Sequence, residues 1–154
     1  MALLNHLLPE IVDNTYRGHK AALWLYWPLT LILIWRSQHH MFADDGGAQS
    51  IATIPLDQWS EPASQTVIGI FAFWGLSQLL LALLQLLVVI RYKALVPLMC
   101  FILILEQAGR VLVASMKTIV TAGTAPATAG LLPLMVITVL MFILAMIPRG
   151  DKAS

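Results

Sequence analysis

Four apolar runs, each about as long as a bilayer is thick, most constrain how this chain can fold. They cover roughly residues 21–39, 66–90, 94–116 and 131–147. A membrane-spanning α-helix needs about 20 mostly apolar residues, because it rises about 1.5 Å per residue across about 30 Å of hydrocarbon. The sequence therefore predicts an all-α integral membrane protein: a single membrane domain over residues 1–154, built as a four-transmembrane-helix bundle.

The composition supports a membrane environment. The chain is 59% hydrophobic and 11% charged, whereas a soluble domain is about half apolar and about a quarter charged. So few charged residues leave too little polar surface to cover a globule in water. The net charge of +1 gives no broad positive surface, so we predict the lipid bilayer as a partner and no nucleic acid.

The positions of the basic residues predict the orientation. Lys and Arg favour the cytoplasmic side of membrane proteins. With four helices, both termini and the turn between the second and third helices share one side, and external loops cover about residues 40–65 and 117–130. We therefore predict both termini in the cytoplasm. The six basic residues on that side are Arg17, Lys20, Arg91, Lys93, Arg149 and Lys152. The opposite side carries Asp44, Asp45, Asp57 and Glu61.

The first 16 residues have a pattern of their own. Leucine, isoleucine and valine recur there at a near-heptad spacing, from Leu3 to Val12. This spacing predicts a short amphipathic helix on the inner leaflet. Pro9 would interrupt this helix or restart it, because proline suits a first helical turn.

Polar side chains within the predicted spans are the candidate ligand-binding residues. Ionisable groups are costly inside a membrane, so they are read as functional by default. Four of these polar side chains share one layer, which lies roughly 18–24 Å from the inner side when depth is counted at about 1.5 Å per residue. Two histidines continue the Arg36 face outward. The six candidates are Arg36, His39, His40, Gln78, Glu106 and Arg110.

These side chains predict a polar pocket in the outer half of the bundle. Glu106 and Arg110 are four residues apart and share a helix face. Because one carboxylate cannot neutralise both Arg36 and Arg110, the pocket favours an oxygen-rich ligand. It would open towards the first external loop, where Asp44 and Asp45 could supply counter-charge.

A purely structural interpretation explains the same residues. Glu106 and Arg110 can neutralise each other within one helix. Arg36 can extend to the outer headgroups. Gln78 and Gln85 can hydrogen-bond between helices and hold them together.

No catalytic or metal site is predicted. His39, His40, Asp44 and Asp45 include ligand types that metals accept, but adjacent helical residues point about 100° apart, which makes joint ligation awkward. Glu106 is the one candidate acid or base, and no cofactor motif is present, so an autonomous enzyme is the least favoured class.

Three segments carry a resemblance to a family: RYKALVPLM (residues 91–99), EQAGR (residues 106–110) and DGGAQSIATIPLD (residues 45–57). They resemble small, uncharacterised, broadly DoxX-like bacterial membrane proteins. The likeness covers most of residues 16–117 and weakens beyond them. It implies a four-helix bundle in the bacterial inner (cytoplasmic) membrane and, for some members, a link with quinone-coupled oxidation. It supplies no catalytic residues.

Three functions remain open. The first is a quinone- or lipid-binding accessory or redox-associated subunit, for which a quinone is compatible as cofactor without being identified. The second is a structural or assembly subunit with a membrane-protein partner or a second copy, because Gly75 and Gly109 would allow close helix contact. The third is a small-solute transporter using Glu106, which Arg110 disfavours by holding the carboxylate ionised.

Overall fold

The computed structural model describes residues 2–148. These residues are 72% helical and contain no strand, so the predicted all-α class is confirmed. Arg149 and Lys152, two of the six basic residues behind the predicted orientation, lie outside the described residues.

The described residues form six α-helices, and the four longest coincide with the four apolar runs. The second long helix starts five residues before the predicted residue 66, because Pro62 fits its first turn, where no intrahelical donor is lost. The α-helices are α1 Ala2–Leu7, α2 Lys20–Phe42, α3 Glu61–Arg91, α4 Val96–Met116, α5 Pro126–Ala129 and α6 Leu131–Met146. Short 3-10 turns occur at Leu56–Gln58 and Lys93–Leu95.

Two helical segments are long and apolar enough to cross a membrane, judged by length and composition. They are α3 and the segment Lys93–Met116, which joins a 3-10 turn to α4. The apolar helix α6 is shorter, with 16 residues.

The long helices pack in the order α3, α2, α6 and α4. Helix α2 packs along both α3 and α6, and α6 packs along α4, whereas α3 and α4 make few close backbone approaches. Helices α2 and α3 approach each other closely at Gly75. A Cβ atom there would lie 2.8 Å from the Cβ of His40 and 2.9 Å from the carbonyl oxygen of Ser37. Glycine at position 75 therefore lets the two helices pack this closely.

Backbone hydrogen bonds join three parts of the chain at one end of the molecule. The N–H of His19, before α2, donates to the carbonyl of Leu144 near the end of α6 (2.9 Å). The N–H of Ala94, between α3 and α4, donates to the carbonyl of Asp13 (3.3 Å). Because these contacts bring together the start of α2, the α3–α4 turn and the end of α6, consecutive long helices run in opposite directions.

At the opposite end, two connecting segments bond to each other. The N–H of Ala122 donates to the carbonyl of Thr53 (2.8 Å), and the Thr53 hydroxyl donates to the carbonyl of Gly123 (2.9 Å). Thr53 has φ +57°, which is rare for a β-branched residue. These two bonds fix the strained residue and link the α2–α3 loop, residues 43–60, to the segment after α4.

The predicted N-terminal helix is shorter than expected. Helix α1 ends at Leu7, and residues 8–19 are not helical. Of the two predicted effects of Pro9, the helix is interrupted before this residue and does not restart at it. Proline disfavours the helical conformation of the residue before it and lacks an N–H. His6 Nε2 instead lies 2.9 Å from the carbonyl oxygen of Ala145, which fixes α1 against the end of α6.

Candidate functional site

The centre of the candidate site is a contact between α2 and α3. Arg36 donates from Nε (3.1 Å) and Nη2 (2.7 Å) to the same side-chain oxygen of Gln78. Gln78 is only 7% exposed, and its Nε2 amide group is buried with no hydrogen-bond partner. Arg36 therefore turns inward to α3, and the contact leaves a buried donor of Gln78 unused.

Helix α4 contributes a pair of charged residues that lie one helical turn apart. Arg110 Nε donates to the carboxylate of Glu106, and Nη2 lies beside the same oxygen. Nη2 is nevertheless buried without an aligned hydrogen bond. Both side chains are about one quarter exposed. The local ion pair follows from the four-residue spacing, as the structural interpretation of the sequence expected.

Trp74 connects the two groups. The guanidinium carbon of Arg36 lies 5.9 Å from the centroid of its ring system, and that of Arg110 lies 5.2 Å from it. Both distances fall within the range of cation–π attraction. The six predicted site residues did not include Trp74. Its sequence signal is its position four residues before Gln78, which puts both side chains on one face of α3.

The two histidines face different neighbours. His40 is 3% exposed and its ring lies 4.8 Å from that of Trp74 and 5.7 Å from that of Phe71. With its proton on Nδ1, it donates to the carbonyl of Gly46 at 2.8 Å. The His39 ring lies 6.1 Å from that of Trp35, and its Nε2 is buried without a partner. The structure thus joins five of the six predicted residues through Trp74, while His39 points to a different aromatic side chain.

We name the polar cluster after these contacts. The outer cluster comprises Arg36, Trp74, Gln78, Glu106 and Arg110. It holds two guanidinium groups and one carboxylate. Within residues 2–148, the ion pairs are Asp13–Arg17 and Glu106–Arg110, so Arg36 has no carboxylate partner among the described residues.

Asp45 does not supply counter-charge to the arginines, so that prediction is wrong. Its carboxylate accepts from the backbone N–H groups of Gly47 (2.8 Å), Gln49 (3.0 Å) and Ser50 (2.6 Å). Partial burial opposes its ionisation, but the donations from Ser50 and Gly47 outweigh burial and lower the pKa of Asp45. Asp44 is exposed and, within the described chain, makes no ion pair with either arginine.

The α2–α3 loop instead covers the end of α2. Gly46 and Gly47 have positive φ values of 59° and 73°, and side chains at either position would meet Phe71 or the two histidine rings. Ala48, Ile54 and Leu56 form a small buried core against the first turns of α3. The apolar part of the loop therefore packs on protein.

A second buried polar contact lies deeper between α2 and α3. Gln85 is fully buried and accepts a hydrogen bond from Thr30 at 3.3 Å. Tyr26 donates to the backbone carbonyl of Gln85 at 3.1 Å. Here the glutamine holds two helices together, as the structural interpretation expected, without a charged group beside it.

Grooves also occur outside the outer cluster. A groove of about 220 Å³ lies at the other end of the molecule beside His6, Glu10, Arg17 and Lys93. A shallower one of about 190 Å³ lies between the end of α4 and the start of α6. Neither contains a predicted site residue. Within residues 2–148, no three His, Cys, Asp or Glu side chains are grouped to hold a metal ion.

No family model, curated protein or solved structure matches this chain. The resemblance to DoxX-like proteins therefore stays a prediction from the quoted segments.

Proposed function

We propose that this chain is a four-span membrane protein with both termini on the cytoplasmic side. The exposed surface of its helices supports this. Only 17% of the apolar stretch of α3 is buried inside the protein, and only 33% of the apolar stretch of Lys93–Met116. The core helix of a soluble protein would bury its apolar side chains, whereas these helices leave theirs for a surrounding solvent. A bilayer supplies that solvent.

The charges at the two ends of the molecule support the orientation. Arg17 and Lys20 lie at the end where α2 begins, and Arg91 and Lys93 flank the α3–α4 turn at the same end. Acidic residues of the α2–α3 loop lie at the other end. Such an asymmetry favours the basic end in the cytoplasm and puts the outer cluster in the outer half of the membrane.

Within that frame, the outer cluster binds the oxygen-rich head of a lipid or a quinone, and the protein is a binding or redox-associated accessory subunit. One observation carries this: Gln78 Nε2 is buried without a hydrogen-bond partner, in a cluster with one excess positive charge. An unsatisfied buried donor costs roughly 1–3 kcal/mol. A ligand oxygen between α3 and α4 would satisfy this donor and offset the excess charge.

The arrangement of Glu106 argues against proton-coupled cation transport. Its carboxylate is already paired with Arg110, and the guanidinium groups of the outer cluster repel a cation. The acceptor-rich ligand therefore fits the charges better than a cationic substrate does.

The test is native mass spectrometry of the protein released from its own membrane in lipid particles. Gln78→Leu removes the partner of Arg36 and the unused donor. Gln85→Leu is the matched control, because it removes a buried glutamine seven residues further along the same face of α3, outside the outer cluster. We expect a defined ligand mass on the wild type and on Gln85→Leu, and its loss from Gln78→Leu.

Two results would contradict the proposal. If the wild-type protein carries no bound small molecule, the outer cluster has a structural role instead. Equal retention of the ligand by Gln78→Leu and the wild type would place the ligand elsewhere on the protein.

A further inference from the structure

Two sides of the outer cluster are closed by a neighbouring helix and a loop, and on the third side α3 and α4 meet mainly through side chains. Arg36 and Gln78 close it between α2 and α3, and the α2–α3 loop covers its outer end through His40. The remaining side lies between α3 and α4, which make few close backbone approaches. Trp74 and Arg110 face each other there through their side chains.

Gly109 lies on α4 next to Arg110, which faces this third side. It lies three residues after Glu106, on the same flank of α4. A Cβ atom added at Gly109 would meet nothing within 4 Å, whereas one at Gly75 would collide with α2. Within the described chain, Gly75 therefore makes a close helix contact and Gly109 does not. Residues 111–116, the end of α4, are all exposed, so no helix packs over this stretch.

We propose that an anionic phospholipid of the outer leaflet enters the outer cluster sideways, between α3 and α4. Its phosphate accepts from Gln78 Nε2 and lies beside the guanidinium groups of Arg36 and Arg110, and an acyl chain lies against the flank of α4 at Gly109. This inference rests on the proposed function and names the ligand class. The excess guanidinium charge favours a phosphate anion over the neutral carbonyl oxygens of a quinone, because charge-assisted hydrogen bonds are the stronger ones.

The lateral route follows from where the molecule is covered. A water-soluble anion would have to pass the α2–α3 loop, whose Ala48, Ile54 and Leu56 are packed against α3. A lipid approaches the side between α3 and α4 directly from the bilayer. The space beside Gly109 is free for an apolar chain, and a side chain introduced there would occupy it.

The test compares two glycine substitutions. Gly109→Leu fills the space beside the outer cluster. Gly69→Leu is the control, because a Cβ at Gly69 also meets nothing within 4 Å, and its position nine residues before Gln78 puts it about 180° around α3 from the outer cluster. Both substitutions add the same side chain to an open helix surface.

Each protein is placed in lipid particles containing equal amounts of phosphatidylglycerol and phosphatidylcholine together with a short-chain quinone, and is examined by native mass spectrometry. We expect one phosphatidylglycerol to be retained preferentially by the wild type and by Gly69→Leu. Gly109→Leu should lower this retention about tenfold, which corresponds to about 1.4 kcal/mol.

The outcomes separate this inference from the proposed function. Equal phosphatidylglycerol retention by Gly109→Leu and the wild type overturns the lateral phospholipid route. A quinone retained by the wild type and Gly109→Leu, but lost from Gln78→Leu, also overturns it and leaves the proposed function standing. If the wild type retains neither lipid nor quinone, both proposals fail.

Discussion

Replacing Gly75 by alanine should separate α2 from α3, although alanine is the better helix former. The added Cβ would lie 2.8 Å from the Cβ of His40 and 2.9 Å from the carbonyl oxygen of Ser37. The second of these atoms is backbone, so no rotation of a side chain relieves the contact. Bringing the closest distance to 3.4 Å, where ordinary contact begins, requires the helices to move apart by about 0.6 Å.

Two opposing terms set the size of the effect. Overpacking of this kind costs roughly 1–3 kcal/mol, and exchanging glycine for alanine within a helix returns roughly 0.5–1 kcal/mol. We therefore expect Gly75→Ala to lower the free energy of unfolding by about 1 kcal/mol. Gly109→Ala receives the same helix-propensity gain without a collision, so it should raise the free energy of unfolding by roughly 0.5–1 kcal/mol.

The assay is denaturant unfolding of both variants and the wild type in one detergent, followed by Trp fluorescence or circular dichroism. The two variants should differ by about 2 kcal/mol, a factor of roughly 30 in the unfolding equilibrium constant. A Gly75→Ala protein as stable as Gly109→Ala would refute the close crossing of α2 and α3 at this residue.

Three further predictions concern the other polar groups. Gln85→Leu should change the free energy of unfolding by less than about 1 kcal/mol, because Thr30 keeps its hydrogen bond to the carbonyl of Tyr26 and an unpartnered amide is removed. Denaturant unfolding measures this change. A loss of stability above about 3 kcal/mol would contradict the prediction. The lowered pKa of Asp45 means that the carboxylate's contribution to loop stability is complete above the ordinary pKa of 3.8 and is lost as the pH falls through the lower folded-state pKa. The protection of the α2–α3 loop against hydrogen exchange should therefore fall only below about pH 4. In Asp45→Asn this protection should be low at every pH. Glu106→Gln removes the one carboxylate of the outer cluster and frees Arg110, so phosphatidylglycerol retention in native mass spectrometry should rise; a fall would show that the carboxylate assists binding.

The sequence by itself determined the features that depend on neighbouring residues. The apolar runs gave the position of the four long helices, because helix length and hydrophobicity are local properties. The spacing of Glu106 and Arg110 predicted their ion pair, since residues four apart share a helix face. The same periodicity put Gln78 and Gln85 on one face, and the structure bears out their hydrogen bonds to α2.

Loop chemistry already needed the folded chain. Asp45 looked like a counter-charge for the buried arginines, but the backbone of its own loop turns three N–H groups onto it. Pro9 was compatible with a helix start, yet the segment after it stays non-helical. In both places a charge or a residue type allowed several partners, and the backbone path selected one.

The contacts of the outer cluster were decided by tertiary structure alone. Arg36 and Gln78 are separated by 42 positions, and Trp74 lies between two arginines from different helices. Helical periodicity fixes which residues share a face but not which face meets which neighbour. The difference between Gly75, crowded by α2, and Gly109, facing open space, has the same origin. Packing of α2 against α3, and of α6 against α4, determines which small residues a neighbouring helix covers and which stay uncovered.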